Sequence, residues 1–440
     1  MMNYSILLDV VGLEVKHLDS GLLPNIAKIS ENGEVAKLEP TFPAVTSSVQ
    51  ASILSGRYPR EHGIVSNGLY DRSTYNVSFW EQSSSLVQTQ RVWDTVKQKN
   101  SKKTAVLFWQ NTMYANSDIV VTPRPIHLDD KMVMWCYSKP VGYYEKLKEK
   151  FGEFNLASYW GPLASPKSSE WIANAADYTL ESERPNFLFV YIPHADYSAQ
   201  RFGKEAVQVR EDVKKADEIV GRIVQKVTDL GIRDETQFII ISEYAFNDVN
   251  AAVPLNRVLR DAGLLSVRTI QEKEYVDFEY SKAFAMVDHQ VAHVYIKNGY
   301  ERETRKTLEN TEGVERILES SGKKELAIDH ERSGELIAVS PRDRWFSYYW
   351  WYDENRAPDF AGKVDIHRKP GYDPVELFID PKTKSIPLDA SLVKGSHGRP
   401  SDPQTDEGFA FYASSKRHGL ISESRSLRCV DIVKCLFDSQ

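Results

Sequence analysis

Cysteine is scarce in this chain: Cys136, Cys429 and Cys435 are the only three in 440 residues. Three cysteines cannot build a disulfide framework, and without a CxxC pair they offer no thiolate zinc site. Long apolar runs are missing as well. Nothing reaches the roughly 18 consecutive apolar residues that a membrane-spanning helix needs. Residues 1–9 carry no basic stretch, and their apolar run is only strand-length, unlike a secretory leader. The expectation is a reduced, cytoplasmic protein with no membrane partner. An excess of positive charge is also absent. The 55 Lys+Arg against 62 Asp+Glu leave a net charge of -7, which removes the electrostatic reason to expect a nucleic-acid polymer. No internal repeat or low-complexity tract occurs. What remains is an ordinary globular composition, long enough to bury a large core.

Short apolar runs alternate with helical periods along the chain, which predicts an α/β fold with a mostly parallel central sheet and helices on both faces. Residues 4–9, 104–109, 187–192 and 238–242 read as strands buried on both sides. Val213, Ala216, Val220, Ile223, Val227 and Leu230 recur at spacings of three and four, as an amphipathic helix requires. Residues 24–32 form a shorter helix, with Pro24 near its start and Gly33 beyond its end. The texture changes near residue 290: strand at 292–296, charged helix at 301–320, strand at 336–340. The expected organisation is a first part of an α/β core at 1–285, a small α+β insertion or cap at 286–341, and a return to the core at 342–440. Residues 342–403 are irregular and rich in aromatics, Pro and Gly, which marks a functional loop more often than slack chain.

Ligands of open α/β sheets bind at the carboxyl ends of the strands. Asp9 and Glu243 end two predicted strands, and Asp196 follows a third. Each alone reads as a helix cap or a loop charge. Together they point to a hard-cation site, because converging like charges need a cation between them. Thr46 can cap a short helix that stops at Gly56, and a hydroxyl at a helix N-terminus can take a phosphoryl group whose charge the helix end stabilises. Other residues read more plainly. His62 suits a turn, His289 and His293 suit structural positions on one strand face, Cys136 suits the core, and Trp350–Trp351 suit core or pocket wall.

The string from Thr46 through Gly56-Arg57-Tyr58-Pro59 and Glu61-His62-Gly63-Ile64 to Asn67 resembles the alkaline phosphatase superfamily, on its type I phosphodiesterase/nucleotide pyrophosphatase branch. Asp9 before the Pro24-Asn25 helix and the late Gly395-Ser396-His397-Gly398 are similar to the same family and fall in its order. The resemblance implies a metal-dependent hydrolase of phosphoric esters, diester or pyrophosphate, that forms a phospho-threonine intermediate on a small phosphorylated substrate. It implies Thr46 as nucleophile, since Thr46 lies ten residues before Gly56 and Asn67, the oxyanion residue, eleven after it. Thr41, in a similar Thr-Phe-Pro string, is out of that register.

The resemblance also implies one or two divalent cations, Zn²⁺, Mn²⁺ or Mg²⁺. Asp9, Thr46 and Glu243 would hold the first, and Asp196 and His397 the second. Tyr244 and Gln200 stand where the family has histidines, so both are uncertain ligands, and the harder donors shift preference from zinc toward Mn²⁺, Mg²⁺ or Ca²⁺. His194 is a candidate substitute ligand. The cationic triplet His367-Arg368-Lys369 reads equally as a phosphate-binding or a surface element. Monoester or phosphonate hydrolysis are alternatives within the superfamily. A non-catalytic binder with a degraded metal site is the alternative outside enzymes. Sulfatase chemistry is disfavoured, because no Cys or Ser lies in a C/S-x-P-x-R string near residue 46.

Overall fold

The apolar runs read as strands lie side by side in one sheet. The computed structural model describes residues 3–100, 102–129 and 132–437. Its two principal sheets use, in chain order, β1 (Tyr4–Val10), β2 (Glu34–Glu39), β3 (Thr104–Leu107), β4 (Ile119–Pro123), β5 (Cys136–Lys139), β6 (Phe187–Ile192), β7 (Thr236–Ile241), β8 (Ala283–Asp288), β9 (Val291–Ile296), β10 (Arg316–Leu318), β11 (Leu336–Val339), β12 (Ala410–Ser414) and β13 (Ser426–Arg428). The central sheet has nine strands in the order β13-β2-β12-β7-β1-β6-β3-β4-β5. Only β12 and the edge strand β5 run against the others. Every residue of β6 and β7 is buried, so both faces of the sheet are covered, which explains why these strands read as unbroken apolar runs.

The helices that matter here are α1 (Pro24–Ser30), α2 (Thr46–Ser55), α3 (Lys167–Glu183), α4 (His194–Phe202), α5 (Val207–Asp229) and α6 (Glu301–Glu309). The α5 stripe of Val213, Ala216, Val220, Ile223 and Val227 is buried, as its periodicity predicts. Its Asp217 accepts hydrogen bonds from Asn25 N at 3.0 Å, Asn25 Nδ2 at 2.8 Å and Ile26 N at 2.9 Å. One buried carboxylate on α5 therefore caps the N-terminus of α1, whose own sequence offers no side-chain cap.

A second sheet, β8-β9-β11-β10, is antiparallel throughout. The helix expected over 301–320 is shorter. It ends at Glu309 and gives way to β10 and a short helix, Ser320–Glu325. Gly313, past that end, keeps the chain from re-entering the helix. Its φ is 92°, and a Cβ there would lie 2.3 Å from Val253 Cγ2, so the chain turns tightly against its neighbour where a helix would have continued. The second core is also wider than 286–341. It recruits Val253, Leu255 and Leu259 from before that range, and Phe346, Tyr348, Tyr349, Trp350, Trp351 and Tyr372 from after it. The aromatic run near residue 350 is therefore core.

Candidate functional site

Strand β1 lies between β7 and β6, with β2 on one side of it and β3 on the other. That arrangement opens a crevice beyond its carboxyl end. Asp9 stands there, paired in register with Ile241 on one side and Tyr191 on the other. Glu243 follows β7, and Asp196 lies in the first turn of α4. All three are buried. The side chain of Gln50, on α2, reaches into the crevice and was not singled out by the sequence. Its Nε2 donates to Glu243 Oε1 at 2.6 Å and to Asp9 Oδ2 at 3.1 Å, and its Oε1 accepts the backbone N–H of Gln110 at 2.6 Å. A backbone N–H can only donate, so the amide orientation is set. Burial pushes the Asp9 carboxyl up to about 7, against hydrogen bonds from Glu243 and Gln50 that lower it. Burial and then the negative charge of Asp9 push Glu243 well above the carboxylate range.

The nucleophile candidate faces this group. Thr46 was expected to cap α2, but Val45 is the extended cap residue, and Thr46 is the first helical residue. Its hydroxyl is consequently not used for capping. The N–H of Ser47 is taken instead by Asn67 Oδ1 at 2.9 Å. Thr46 Oγ1 lies 3.2 Å from the Tyr244 hydroxyl, which donates to Asp196 Oδ1 at 3.0 Å. Asp196 Oδ2 accepts from Gln200 Nε2 at 2.7 Å, and Gln200 Oε1 accepts from the Tyr372 hydroxyl at 2.8 Å. Gln200 is four residues beyond Asp196 on α4, the spacing that places two side chains on one helical face. Burial pushes Asp196 up to about 7, and the hydrogen bonds from Tyr244 and Gln200 pull the other way.

His397 closes the crevice. Its Nδ1 is 2.7 Å from the carbonyl oxygen of Ala44, which can only accept, so Nδ1 carries the hydrogen. Its Nε2 has no hydrogen-bond partner and lies 4.0 Å from Asp196 Oδ1. Burial pushes the imidazole down to about 3, so the ring is neutral. It stacks on Tyr244 at 3.5 Å between centroids, and His289 lies 3.6 Å away on a path to Tyr372 at 3.8 Å. His289, read from the sequence as structural, thus belongs to the wall of the crevice.

Asn67 is positioned from the second sheet. Asp288, at the end of β8, accepts from Asn67 N at 2.8 Å, Asn67 Nδ2 at 3.1 Å and Ser66 Oγ at 2.6 Å. Nothing in the local sequence marks Asp288 for this part, because its partner lies more than two hundred residues earlier.

The model of the type I phosphodiesterase / nucleotide pyrophosphatase family matches residues 5–373. The chain belongs to this family. Ectonucleotide pyrophosphatase/phosphodiesterase family member 1 of Rattus norvegicus is 26% identical over 267 residues, 59% of this chain and 26% of that protein. An uncharacterized pyrophosphatase/phosphodiesterase of Schizosaccharomyces pombe is 23% identical over 246 residues, 54% of this chain and 44% of its own length. The chain thus spans between about a quarter and a half of these curated relatives. Among solved structures, phosphonoacetate hydrolase from Sinorhizobium meliloti in complex with phosphonoformate superposes with a TM-score of 0.65 at 15% identity, covering 100% of this chain and 96% of that one. Murine ectonucleotide pyrophosphatase/phosphodiesterase 5 gives 0.62 at 12% identity, covering 98% of this chain and 94% of its own. At such identities the structures establish the shared fold.

The type I phosphodiesterase / nucleotide pyrophosphatase family uses divalent metals, and this chain's donors do not match that requirement. Among the described residues no group of three or more His, Cys, Asp or Glu is placed to hold a metal ion. Both oxygens of Asp196 accept from neutral donors, and Gln50 turns its NH₂ toward Asp9 and Glu243. His194, the candidate substitute ligand, is turned away. Its ring nitrogens lie 2.8 Å from Ser169 Oγ and 3.0 Å from the carbonyl oxygen of Asp212, packing α4 against α3 and α5. The cationic triplet also has other partners. His367 Nδ1 bonds the carbonyl oxygen of Phe79, Arg368 pairs with Asp359 and Asp365, and the buried Lys369 pairs with Asp373 at 2.8 Å and Glu376 at 2.7 Å. Thr41 bonds Ser52, and His62 bonds Ser52 and the N–H of Ile64, so both belong to the packing behind α2.

Proposed function

We propose that the chain hydrolyses phosphoric esters of a small substrate, with Thr46 as the group that takes the phosphoryl centre. The observation that carries this reading is the line Thr46–Tyr244–Asp196 at the N-terminus of α2, with contacts of 3.2 and 3.0 Å. The hydrogen of Tyr244 is directed to Asp196, so its oxygen is free to accept the Thr46 hydrogen. As Thr46 Oγ1 bonds phosphorus, its proton passes to the Tyr244 oxygen while the Tyr244 proton passes to Asp196 Oδ1. The P–O bond to the leaving group breaks. The free N–H groups of the first turn of α2 and the second Nδ2 hydrogen of Asn67 face the phosphoryl oxygens that carry the developing charge. Water then attacks phosphorus and releases a proton to solvent, the Thr46 O–P bond breaks, the relay returns the proton from Asp196 through Tyr244 to Thr46, and the departed oxygen takes a proton from solvent. Family membership and the register of Thr46, Gly56 and Asn67 support the same assignment.

The test is a panel of phosphodiesters, phosphomonoesters and phosphonates, followed by mass spectrometry of acid-quenched protein. Turnover of at least one ester and a phosphoryl group on Thr46 are expected. Binding of esters without turnover would instead support the non-catalytic alternative, which the hydrogen-bonded carboxylates favour.

A further inference from the structure

Among the described residues, apart from the contact of Asp9 and Glu243 with each other, the side chains that hydrogen-bond the three site carboxyls are neutral, and Gln50, Gln200 and Tyr244 are each tied to that role from behind. Gln110 N–H sets the amide of Gln50, so that its NH₂ bridges Asp9 and Glu243. The Tyr372 hydroxyl sets the amide of Gln200, so that its NH₂ meets Asp196. Tyr244, stacked flat on His397 at an interplanar angle of 7°, supplies the second donor to Asp196.

We infer that neutral hydrogen-bond donors occupy the places of the divalent cations in this site, that the protein binds no divalent cation there, and that Gln50 is the positioning residue that joins Asp9 to Glu243. The inference concerns the same site as the proposed ester hydrolysis, but it does not depend on turnover. Converging carboxylates need something positive or protic between them. An NH₂ group has two hydrogens and can serve two carboxylates at once. A cation bridging Asp9 Oδ2 and Glu243 Oε1 at the usual ~2.0–2.6 Å from oxygen would occupy the space the Gln50 NH₂ fills, 3.1 Å from the first and 2.6 Å from the second. The open acceptors that remain are Asp9 Oδ1 and Glu243 Oε2 at one end and His397 Nε2 at the other. Two and one each fall short of the three protein ligands that even an open zinc site needs. The Gln and Tyr that stand in place of family histidines are thus one device, completed by Gln50.

The full chain, purified without added metal and then dialysed against Zn²⁺, Mn²⁺ or Mg²⁺, tests this by plasma mass spectrometry, titration calorimetry and melting temperature with and without EDTA. Substoichiometric metal, no saturable heat and an unmoved melting temperature are expected. Gln200→His with Tyr244→His is expected to bind zinc that the natural chain does not. A stoichiometric cation on the natural chain that is lost in Asp9→Asn or Asp196→Asn overturns the inference, as does a natural chain that binds zinc as tightly as the double variant. Should that variant not fold, the metal content of the natural chain still decides. An active protein carrying such a cation would sink this inference and leave ester hydrolysis standing. A metal-free protein with no turnover on any ester would do the reverse.

Discussion

Thr46 and Thr41 are five residues apart and equally buried, yet their surroundings differ in kind. Thr46 looks into the crevice at Tyr244, whereas Thr41 shares a hydrogen bond with Ser52 beneath the helix. Thr46→Ala should therefore abolish turnover and the trapped phosphoryl group, a loss of several powers of ten in kcat of the kind seen when a nucleophile is removed. Thr41→Ser should keep most activity, because it preserves the hydroxyl that bonds Ser52. Steady-state kinetics of the two variants on the same ester compare them directly, and an active Thr46→Ala would show that the register is wrong. At this scale residue type and strand position singled out Asp9, Asp196 and Glu243, and the family resemblance singled out Thr46, Asn67 and His397. Gln50 and Asp288 were not legible, because a glutamine in a helix and an aspartate at a strand end have no meaning until their partners are known.

At the scale of elements, helix ends show how far local rules reach. Gly56 ends α2 in the left-handed region, with φ 66°, as its sequence position foretold. The start of the same helix followed no local rule. Asn67 takes the Ser47 N–H of its first turn, and so the threonine that resembles a cap is left free for chemistry. α1 depends on a remote carboxylate in the same way. Asp217→Ala would leave three donors at the start of α1 without their acceptor. The expected loss is about 1–2 kcal/mol, the usual value of a helix cap, measured as a lower urea midpoint. Asp217→Asn, which keeps one acceptor oxygen, should recover part of it. An unchanged midpoint in Asp217→Ala would mean that water caps α1 equally well.

Across the whole molecule, the second sheet is not a separate lid. It reaches the nucleophile loop through two buried side chains, Asp288 to Ser66 and Asn67, and His293 to the carbonyl oxygen of Val65 and the N–H of Gly334. Asp288→Ala should lower kcat by about 100-fold through misplacement of Asn67, with a smaller change in KM. An equal change in both would place Asp288 in substrate binding instead. Burial pushes His293 down to about 4, while an unfolded imidazole takes its proton near 6.5. Between about pH 6.5 and 4 the unfolded chain binds more protons at this position than the folded one, so the contribution of His293 to stability falls as the pH falls through that window. His293→Gln offers an amide N–H and a carbonyl in place of the two ring nitrogens. It should flatten the acid side of the melting-temperature curve, and an unaltered slope there would exclude His293 as a source of acid sensitivity.

The sequence by itself determined the strands of the central sheet, the long helix α5, the α/β class and the order of the family motifs. Each of these is written in periodicity or in spacing along one stretch of chain. Only the tertiary structure decided what stands between the carboxylates, because Asp9, Gln50, Asp196 and Glu243 meet across hundreds of residues and the amide orientations follow from Gln110 and Tyr372. It also decided that the second core gathers segments from either side of 286–341, since apolar residues show that they will be buried but not with whom. The replacement of histidine by Gln200 and Tyr244 was visible in the letters. Its consequence, a crevice of carboxylates held by neutral donors, depends on distances that no linear pattern contains.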